Sequence, residues 1–324
     1  MAETEPRLAD TVPLNTVQPT LRHSSRFALL GGALLVVAYL ACWLLVPIDP
    51  ILLGKLWFLP GVGVVGAIIA NASGTGGGVV FVPVFNALRD LGEMTLDPLR
   101  VTAVSMAIQA FGMTVGGLRW TDRLYHQRPP GKLEAITRAR DFWLVSILVS
   151  GIALPALLAT QRLVTFDGHA VLMGYKAFSI VLGLALIAAT WTINRDVPER
   201  AKLAPVDLAV LALIAIPGGA ITALFSVGIG ELVAFYLFLR HYPVLLCVGT
   251  ACVISSISVV LGLVWHVEHG TMQWEVVLLA APGAMLGAFL ARPLALWLGP
   301  RKLKTLGGLW IVISAVYLLW LNWN

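Results

Sequence analysis

The sequence predicts an all-α polytopic membrane protein that contains two inverted structural repeats and one extra N-terminal span. Three observations support this prediction. Hydrophobic residues make up 58% of the 324 residues and charged residues only 12%, which is roughly half the charged share of soluble proteins. Apolar stretches recur along the whole chain and are separated by short polar loops. A glycine-rich polar segment occurs twice within this apolar sequence, at 66–78 and at 219–231.

The N-terminal region does not resemble the rest of the chain. Residues 1–26 are polar and contain Pro6, Pro13 and Pro19, a composition that favours a disordered cytoplasmic tail. The apolar stretch that follows, 27–46, is long enough to cross a bilayer. We therefore expect 27–55 to form an additional transmembrane span outside the repeats.

The two glycine-rich segments are related in sequence and define two halves of the chain. Gly66, Ala67, Ile68, Ala70 and Ser73 recur without gaps as Gly219, Ala220, Ile221, Ala223 and Ser226. The predicted repeats are 56–191 and 206–324, joined by a cytoplasmic linker at 192–205. Their apolar segments are 56–72, 76–88, 99–118, 142–160 and 170–191 in the first repeat, and 206–225, 228–239, 244–265, 276–298 and 303–321 in the second.

Two apolar segments are too short to cross a bilayer as helices. Segments 76–88 and 228–239 would extend only about 18–20 Å, whereas the hydrocarbon core is about 30 Å thick. Each follows a glycine-rich segment, and glycine is a poor helix former. We expect broken helices or re-entrant hairpins whose tips meet near the midplane, with full crossings as the alternative.

Basic residues predict the orientation. If each short segment pairs with its predecessor as a hairpin, most Lys and Arg residues fall on one side, including the basic loop from Arg119 to Arg140. Because cytoplasmic loops are enriched in Lys and Arg, we expect a multi-pass protein of the cell (inner) membrane with a cytoplasmic N-terminus and a C-terminus outside. The hairpins would then enter from opposite faces, an arrangement typical of secondary transporters.

The glycine-rich segments resemble those of the sulfite exporter TauE/SafE family, also called the toluene sulfonate uptake permease family. Ser73-Gly-Thr-Gly-Gly-Gly78 followed by Pro83 fits the pattern of this family, and the similarity extends from about residue 56 to near the end of the chain. The second copy departs from the pattern, because Glu231 stands where Gly78 stands in the first. The resemblance implies export or movement of small sulfur-containing anions such as sulfite, sulfoacetate and other organosulfonates.

A carrier of such anions must replace their hydration shell. Helix N-termini can do so, because their first N–H groups lack intrahelical partners and the helix dipole favours negative charge. We therefore predict a substrate site between the two segments. Its residues are Asn71, Ser73, Gly74, Thr75, Gly76, Gly77, Gly78, Thr102, Ser226, Gly228, Gly230 and Thr250. The alternative is that the glycines serve close helix packing and the hydroxyls bond local carbonyls.

Glu231 is the most informative single residue, because ionisable side chains within apolar segments are usually functional. A carboxylate at a helix N-terminus would compete with an anionic substrate for the same donors. We interpret Glu231 as a coupling or gating residue whose protonation is linked to anion binding. A simple helix-capping role is the alternative.

Other polar residues have weaker interpretations. Lys176 could attract anions or extend to the interface, and Gln109 could line a cavity or join two helices. His266, Glu268 and His269 are interpreted as solvated loop residues. The expected partners are a small anion, the lipid bilayer and protons, with no nucleic acid, metal or cofactor. The sequence assigns no oligomeric state.

An enzyme is disfavoured, because the first glycine-rich segment lacks the Lys-Ser/Thr of a phosphate-binding loop. An anion-selective channel that uses the same midplane site remains the alternative to a transporter.

Overall fold

The protein is α-helical throughout the part of the chain that the structure, a computed structural model, describes: residues 21–92, 94, 96–127, 134–164, 168–192 and 198–321. The helices are α1 (Leu21–Leu45), α2 (Pro50–Lys55), α3 (Leu59–Ser73), α4 (Gly78–Asp90), α5 (Pro98–Tyr125), α6 (Ala139–Leu163), α7 (Gly168–Thr192), α8 (Pro205–Phe225), α9 (Ile229–Leu239), α10 (Val244–Glu268) and α11 (Trp274–Leu321). The all-α prediction is therefore confirmed.

Six of the described helices are long and apolar enough to cross a membrane. They are α1 from Arg26 onward, α5, α6, α8, α10 and the first part of α11, to Ala295. These spans confirm a multi-pass membrane protein by length and composition. The predicted tail lies outside the described residues up to position 20, and α1 already begins at Leu21. The predicted linker is described only from residue 198, and residues 193–197 lie outside the described part.

Helix α11 differs from the prediction, which placed two separate apolar segments at 276–298 and 303–321. The structure joins them into one helix of 48 residues. Gly299 and Pro300 between the two segments disfavour a helix, yet the helix continues through them into Arg301 and Lys302, which are good helix formers. The later part packs antiparallel on α7, because Thr305 contacts Trp191 while Gly308 lies against Gly183 and Ile187.

Helices α8 and α9 form an antiparallel hairpin. Near its tip, the α-carbon of Gly218 lies close to Ile229. At its base, the side chains of Tyr236 and Arg240 at the end of α9 contact Asp207 in the first turn of α8. Helices α3 and α4 fold back similarly, with Gly66 against the ring of Phe81. The start and the end of the α8–α9 hairpin therefore lie on the same side of the protein.

A buried carboxylate holds the base of the α8–α9 hairpin. Asp207 is fully buried and accepts hydrogen bonds from the Tyr236 hydroxyl (2.6 Å), Arg240 Nε (2.7 Å) and the Tyr242 hydroxyl (2.5 Å). Burial and the hydrogen bond to Asp207 raise the pKa of Tyr242, so its hydroxyl keeps its proton and acts as a donor. The Tyr242 hydroxyl also accepts from the Ala204 N–H at 3.0 Å. The cluster thus ties the loop before α8 to both ends of the hairpin.

The two hairpins pack on long helices from opposite halves of the chain. Helix α3 lies against the first part of α11, where a Cβ on Gly283 would come within 2.0 Å of the Pro60 carbonyl oxygen. Helix α8 lies against α6, where a Cβ on Gly219 would come within 2.2 Å of the Ala153 carbonyl oxygen. Any side chain at these glycines would collide with backbone. This close packing places the two hairpin tips next to each other.

The Asp207 cluster predicts a large effect of one substitution on stability. We expect Asp207→Ala to lower the free energy of unfolding by about 3 kcal/mol, because the substitution leaves buried donors without an acceptor. Thermal unfolding in detergent measures the loss. The matched control is Asp97→Ala, which removes the exposed N-cap of α5 and should cost only about 1 kcal/mol. Equal losses in the two variants would show that the cluster does not anchor the hairpin.

Candidate functional site

Each hairpin tip is a short break between two helices. The first break, residues 74–77, follows Ser73 at the end of α3, and the second break, residues 226–228, follows Phe225 at the end of α8. Gly74 ends α3 with φ 77°, and Ser226 ends α8 with φ 58°. This left-handed conformation is easy for glycine but costly for most other residues. Ser226 is held in it by contacts from the rest of the site.

The two breaks touch each other. A Cβ on Gly78, the first residue of α4, would lie 2.6 Å from the Ser226 carbonyl oxygen. A Cβ on Gly74 would lie 3.1 Å from the Cα of Val248 on α10. Glycine is needed at Gly78 for close approach of the backbones. The N-termini of α4 and α9 consequently lie side by side.

The carboxylate of Glu231 joins the two breaks. Its Oε1 accepts a hydrogen bond from the Gly76 N–H in the first break. Its Oε2 accepts from the Gly228 N–H in the second break at 2.7 Å. The side chain is only 2% exposed, so water does not compete strongly for these bonds. A carboxylate therefore occupies backbone donors from both helix N-termini, which are natural anion-binding groups.

Gln109, on α5, makes a second link between the same elements. Its Nε2 donates to the Ser226 carbonyl oxygen at 2.9 Å and to the Ser226 Oγ at 2.6 Å. Its Oε1 is buried without a hydrogen-bond partner among the described residues and lies 3.0 Å from where a Cβ on Gly76 would be. Gln109 thus holds the second break and presents an acceptor to the first.

A small cavity, about large enough for one water molecule, lies between the breaks. Its lining combines backbone of both breaks with side chains from α5, α8 and α10. The lining residues are Gly76, Gln109, Thr222, Ser226, Val227, Gly228, Ile229, Gly230, Glu231, Ser255 and Val259. The lining is polar at Gln109, Glu231 and Ser255 and apolar at Val227, Ile229 and Val259.

The structure brings five predicted site residues to this cavity: Gly76, Ser226, Gly228, Gly230 and Glu231. The other predicted residues lie outside its lining. Ser73 bonds the Ile69 carbonyl at 2.6 Å and pairs with Thr75 at 2.6 Å, while Gly74, Gly77 and Gly78 serve backbone packing. Thr102 donates to the Leu224 carbonyl at 3.0 Å and so supports the end of α8.

Asn71 and Thr250 make contacts of their own away from the cavity. Asn71 Nδ2 donates to the Ala67 carbonyl at 2.9 Å, and the Asn71 carbonyl accepts from Trp120 Nε1 at 3.0 Å. Thr250 Oγ1 donates to the Leu246 carbonyl at 2.5 Å. These are the local hydrogen bonds that the sequence analysis gave as the alternative to a binding role. Their assignment as ligands remains a prediction.

Three polar residues of the cavity lining were not among the predicted ligands: Gln109, Thr222 and Ser255. Thr222 Oγ1 accepts from the Ile229 N–H at 3.0 Å and so satisfies one free donor of α9. Thr222 lies within the repeated segment and carries a hydroxyl, a signal that was available in the sequence. Gln109 was singled out in the sequence as a residue that could line a cavity or join two helices, and the structure shows that it does both. Ser255 carries no comparable signal, because only the packing of α10 brings it to the breaks.

Two other interpretations change with the structure. His266 was expected on a solvated loop, but it lies in the last turn of α10 and is fully buried. Lys176 is also buried, on α7. Neither residue lines the cavity between the breaks.

The contact between α9 and α10 predicts a substitution with a specific rescue. A Cβ on Gly230 would lie 2.1 Å from Ser255 Oγ, so Gly230→Ala should lower the free energy of unfolding by about 1–3 kcal/mol. Ser255→Ala removes the colliding oxygen, and the double variant should recover most of the loss. Thermal unfolding of the unsubstituted protein, the two single variants and the double variant measures the interaction energy between the two positions.

The control for this cycle is Gly32→Ala in α1, where a Cβ meets nothing within 4 Å. It should leave stability unchanged or raise it slightly. A double variant as unstable as Gly230→Ala alone would contradict the described contact.

Comparison with known proteins adds one match. A family model described as "Sulfite exporter TauE/SafE" matches residues 59–318. No curated protein and no solved structure matches the chain. The matched range begins at the first residue of α3 and ends within α11, so it contains both breaks.

Proposed function

Because the chain belongs to the sulfite exporter TauE/SafE family, a family of membrane transporters for sulfur-containing anions, we propose that it is a secondary transporter that exports sulfite or small organosulfonates. The substrate anion would bind between the two breaks, on the N–H groups of α4 and α9. The observation that carries this proposal is the Glu231 carboxylate, which accepts from the Gly76 N–H and the Gly228 N–H at once. A pair of carboxylate oxygens bound to these N–H groups supports an anion site at the same position.

The proposed inverted repeat is supported by reciprocal packing. Helices α3 and α8 occupy equivalent positions in the two halves of the sequence. Helix α6 and the first part of α11 are also equivalent, with Gly151 corresponding to Gly283. Helix α3 of the first half packs on α11 of the second, and α8 of the second half packs on α6 of the first. Two halves related by a two-fold axis would exchange elements in this way.

The clustering of basic residues on one side of the protein supports the proposed orientation. Arg200 and Arg240 lie at the base of the α8–α9 hairpin, and Arg292 of α11 donates to the Arg119 carbonyl oxygen at the end of α5, at 3.1 Å. The positive-inside rule places such regions in the cytoplasm. The α8–α9 hairpin would then enter from the cytoplasmic side of the cell (inner) membrane, with the N-terminus also inside.

The geometry makes Glu231 and the substrate competitors. Both need the same N–H groups, and two negative charges within a buried site repel strongly. Substrate can therefore bind only when the Glu231 side chain gives up these donors. Protonation of Glu231 would remove the repulsion and weaken its hold on the N–H groups.

This competition predicts proton-coupled transport with a defined sign. The anion binds when Glu231 is protonated and is released when Glu231 ionises and takes back the N–H groups. Proton and anion would consequently move together in the same direction. The N–H groups of Gly76 and Gly228 would bind the anion, and Glu231 would act as the gate.

We predict that Glu231→Gln removes the pH dependence of anion binding. The amide cannot accept from both N–H groups and carries no charge, so ethanesulfonate should bind at pH 8 as tightly as at pH 5.5. The unsubstituted protein should bind it more weakly as pH rises. Ethanesulfonate is a suitable probe because its sulfonate stays ionised throughout, and calorimetry of the purified protein measures the affinity.

The matched control is Glu268→Gln, which neutralises an exposed carboxylate at the end of α10 and should keep the normal pH profile. If Glu231→Gln kept that profile as well, Glu231 would not couple protons to binding. Transport itself would then need a different gate.

A transporter and an anion channel that share this site differ in their kinetics. We expect proteoliposomes loaded with unlabelled sulfite or ethanesulfonate to accumulate labelled substrate transiently by counterflow, because a carrier exchanges one bound anion for another. Chloride-loaded vesicles serve as the control. Single-channel currents without counterflow would identify a channel instead and contradict the proposed mechanism.

A further inference from the structure

One face of α10 is polar from the central cavity to the C-terminal end of the helix. Ser255, Ser258, Gly262 and His266 are spaced by three, four and four residues, which keeps them within an arc of about 80° on an α-helix. All four are buried. A polar stripe inside a membrane protein faces other helices rather than lipid. We call these four residues, with Gln161 on α6, the α10 stripe.

Three atoms of the stripe have no protein partner. Ser258 Oγ, Gln161 Oε1 and His266 Nε2 are buried and make no hydrogen bond within the described part of the chain. Gln161 is placed against the stripe because its Nε2 donates to the Gly262 carbonyl at 3.1 Å. An unsatisfied buried polar atom costs about 1–3 kcal/mol, so such atoms normally bond ordered water. Two such atoms on one face of α10 and a third on the facing side of α6 indicate a row of water sites.

The stripe connects the cavity to the outside of the protein. At its inner end, Ser255 and its neighbour Val259 both line the cavity that contains Glu231. At its far end, His266 Nδ1 lies 3.0 Å from Thr271 Oγ1, and Thr271 is partly exposed in the loop before α11. Between these ends, Gly262 packs closely, because a Cβ there would lie 3.1 Å from Leu157 Cδ2 and 3.5 Å from Gln161 Nε2.

The groups along the stripe suit protons better than anions. The hydroxyl of Ser258, the amide of Gln161 and the imidazole of His266 can all pass or orient a proton through water. The titratable groups around it are His269 beside His266, and Cys252 beside Glu231 at the inner end. None of these groups presents a fixed positive charge to attract a sulfonate.

We propose that the α10 stripe is a hydrated path that carries protons between Glu231 and the side of the membrane at the C-terminal end of α10. This proposal rests on the proposed function, because the path would supply the proton that opens the anion site. The path is separate from the anion site, whose ligands lie in the breaks. Its existence can be tested without any transport measurement.

X-ray hydroxyl-radical footprinting tests the path in the full-length protein, because radicals formed from bound water oxidise adjacent methionines. Met106 and Met113 are both fully buried on the same face of α5, two turns apart. Met106 borders the stripe, with its Sδ 3.4 Å from where a Cβ on Gly262 would be. We expect Met106 to be oxidised at least about fivefold faster than Met113.

Removal of the unpartnered polar groups should remove the water from the path. The double variant Ser258→Ala, Gln161→Leu keeps similar volumes, and it should slow Met106 oxidation to the rate of Met113. The control is Ser150→Ala, which removes another buried unpartnered hydroxyl on α6, three turns before Gln161. It should leave the Met106 rate unchanged, and thermal unfolding should confirm that all variants are folded.

Transport then tests the role of the path. In the double variant, equilibrium binding and counterflow of ethanesulfonate at fixed pH should persist, while uptake driven by a pH gradient should be lost. Retained gradient-driven uptake would overturn the proton-carrying role.

Equal slow oxidation of Met106 and Met113 would overturn the hydrated path, and so would fast Met106 oxidation that the double variant leaves unchanged. If the unsubstituted protein shows no counterflow, the proposed function fails, and the footprinting comparison still decides whether the path is hydrated.

Discussion

The hydrogen bonds of one carboxylate hold the centre of this protein together. Glu231 binds the N–H of Gly76 and the N–H of Gly228, two groups that lie 152 residues apart in sequence. Neither N–H has a partner within its own helix, because both lie at the start of one. The arrangement works only while the first and second breaks remain side by side. The rest of the fold can be understood as what keeps them there.

Two kinds of packing maintain this alignment. Glycines at 219 and 283 let α8 and α3 approach their partner helices until backbone touches backbone, which leaves little freedom for sliding. The Asp207 cluster holds the base of the α8–α9 hairpin to the loop that precedes it. Both features lie away from the cavity. They allow the tips to carry poorly satisfied backbone groups, which would be costly on an isolated helix.

The same geometry would let a site without a fixed positive charge bind anions, as the proposed function requires. The cavity offers N–H groups, an amide and hydroxyls, and its one negative group is already bound to the donors. In the proposed cycle this carboxylate takes the place of the substrate between turnovers, so the N–H groups always have a hydrogen-bond acceptor. A fixed Lys or Arg would bind anions more tightly but would also slow their release. A titratable competitor provides both binding and release from one set of donors.

The sequence by itself determined the α-helical class and the apolar membrane spans, since hydrophobic length acts locally on the backbone. It also singled out Glu231, because a charge inside an apolar segment stands out without any knowledge of its neighbours. Only the tertiary structure decided what Glu231 binds, which hydroxyls face the cavity and that Gln109 and Ser255 belong to it. Asn71 and Thr250 have side chains as polar as these, yet they bond their own helices. Whether a polar side chain on a buried helix reaches a site depends on how helices distant in sequence rotate and pack against each other, and no local pattern encodes that rotation.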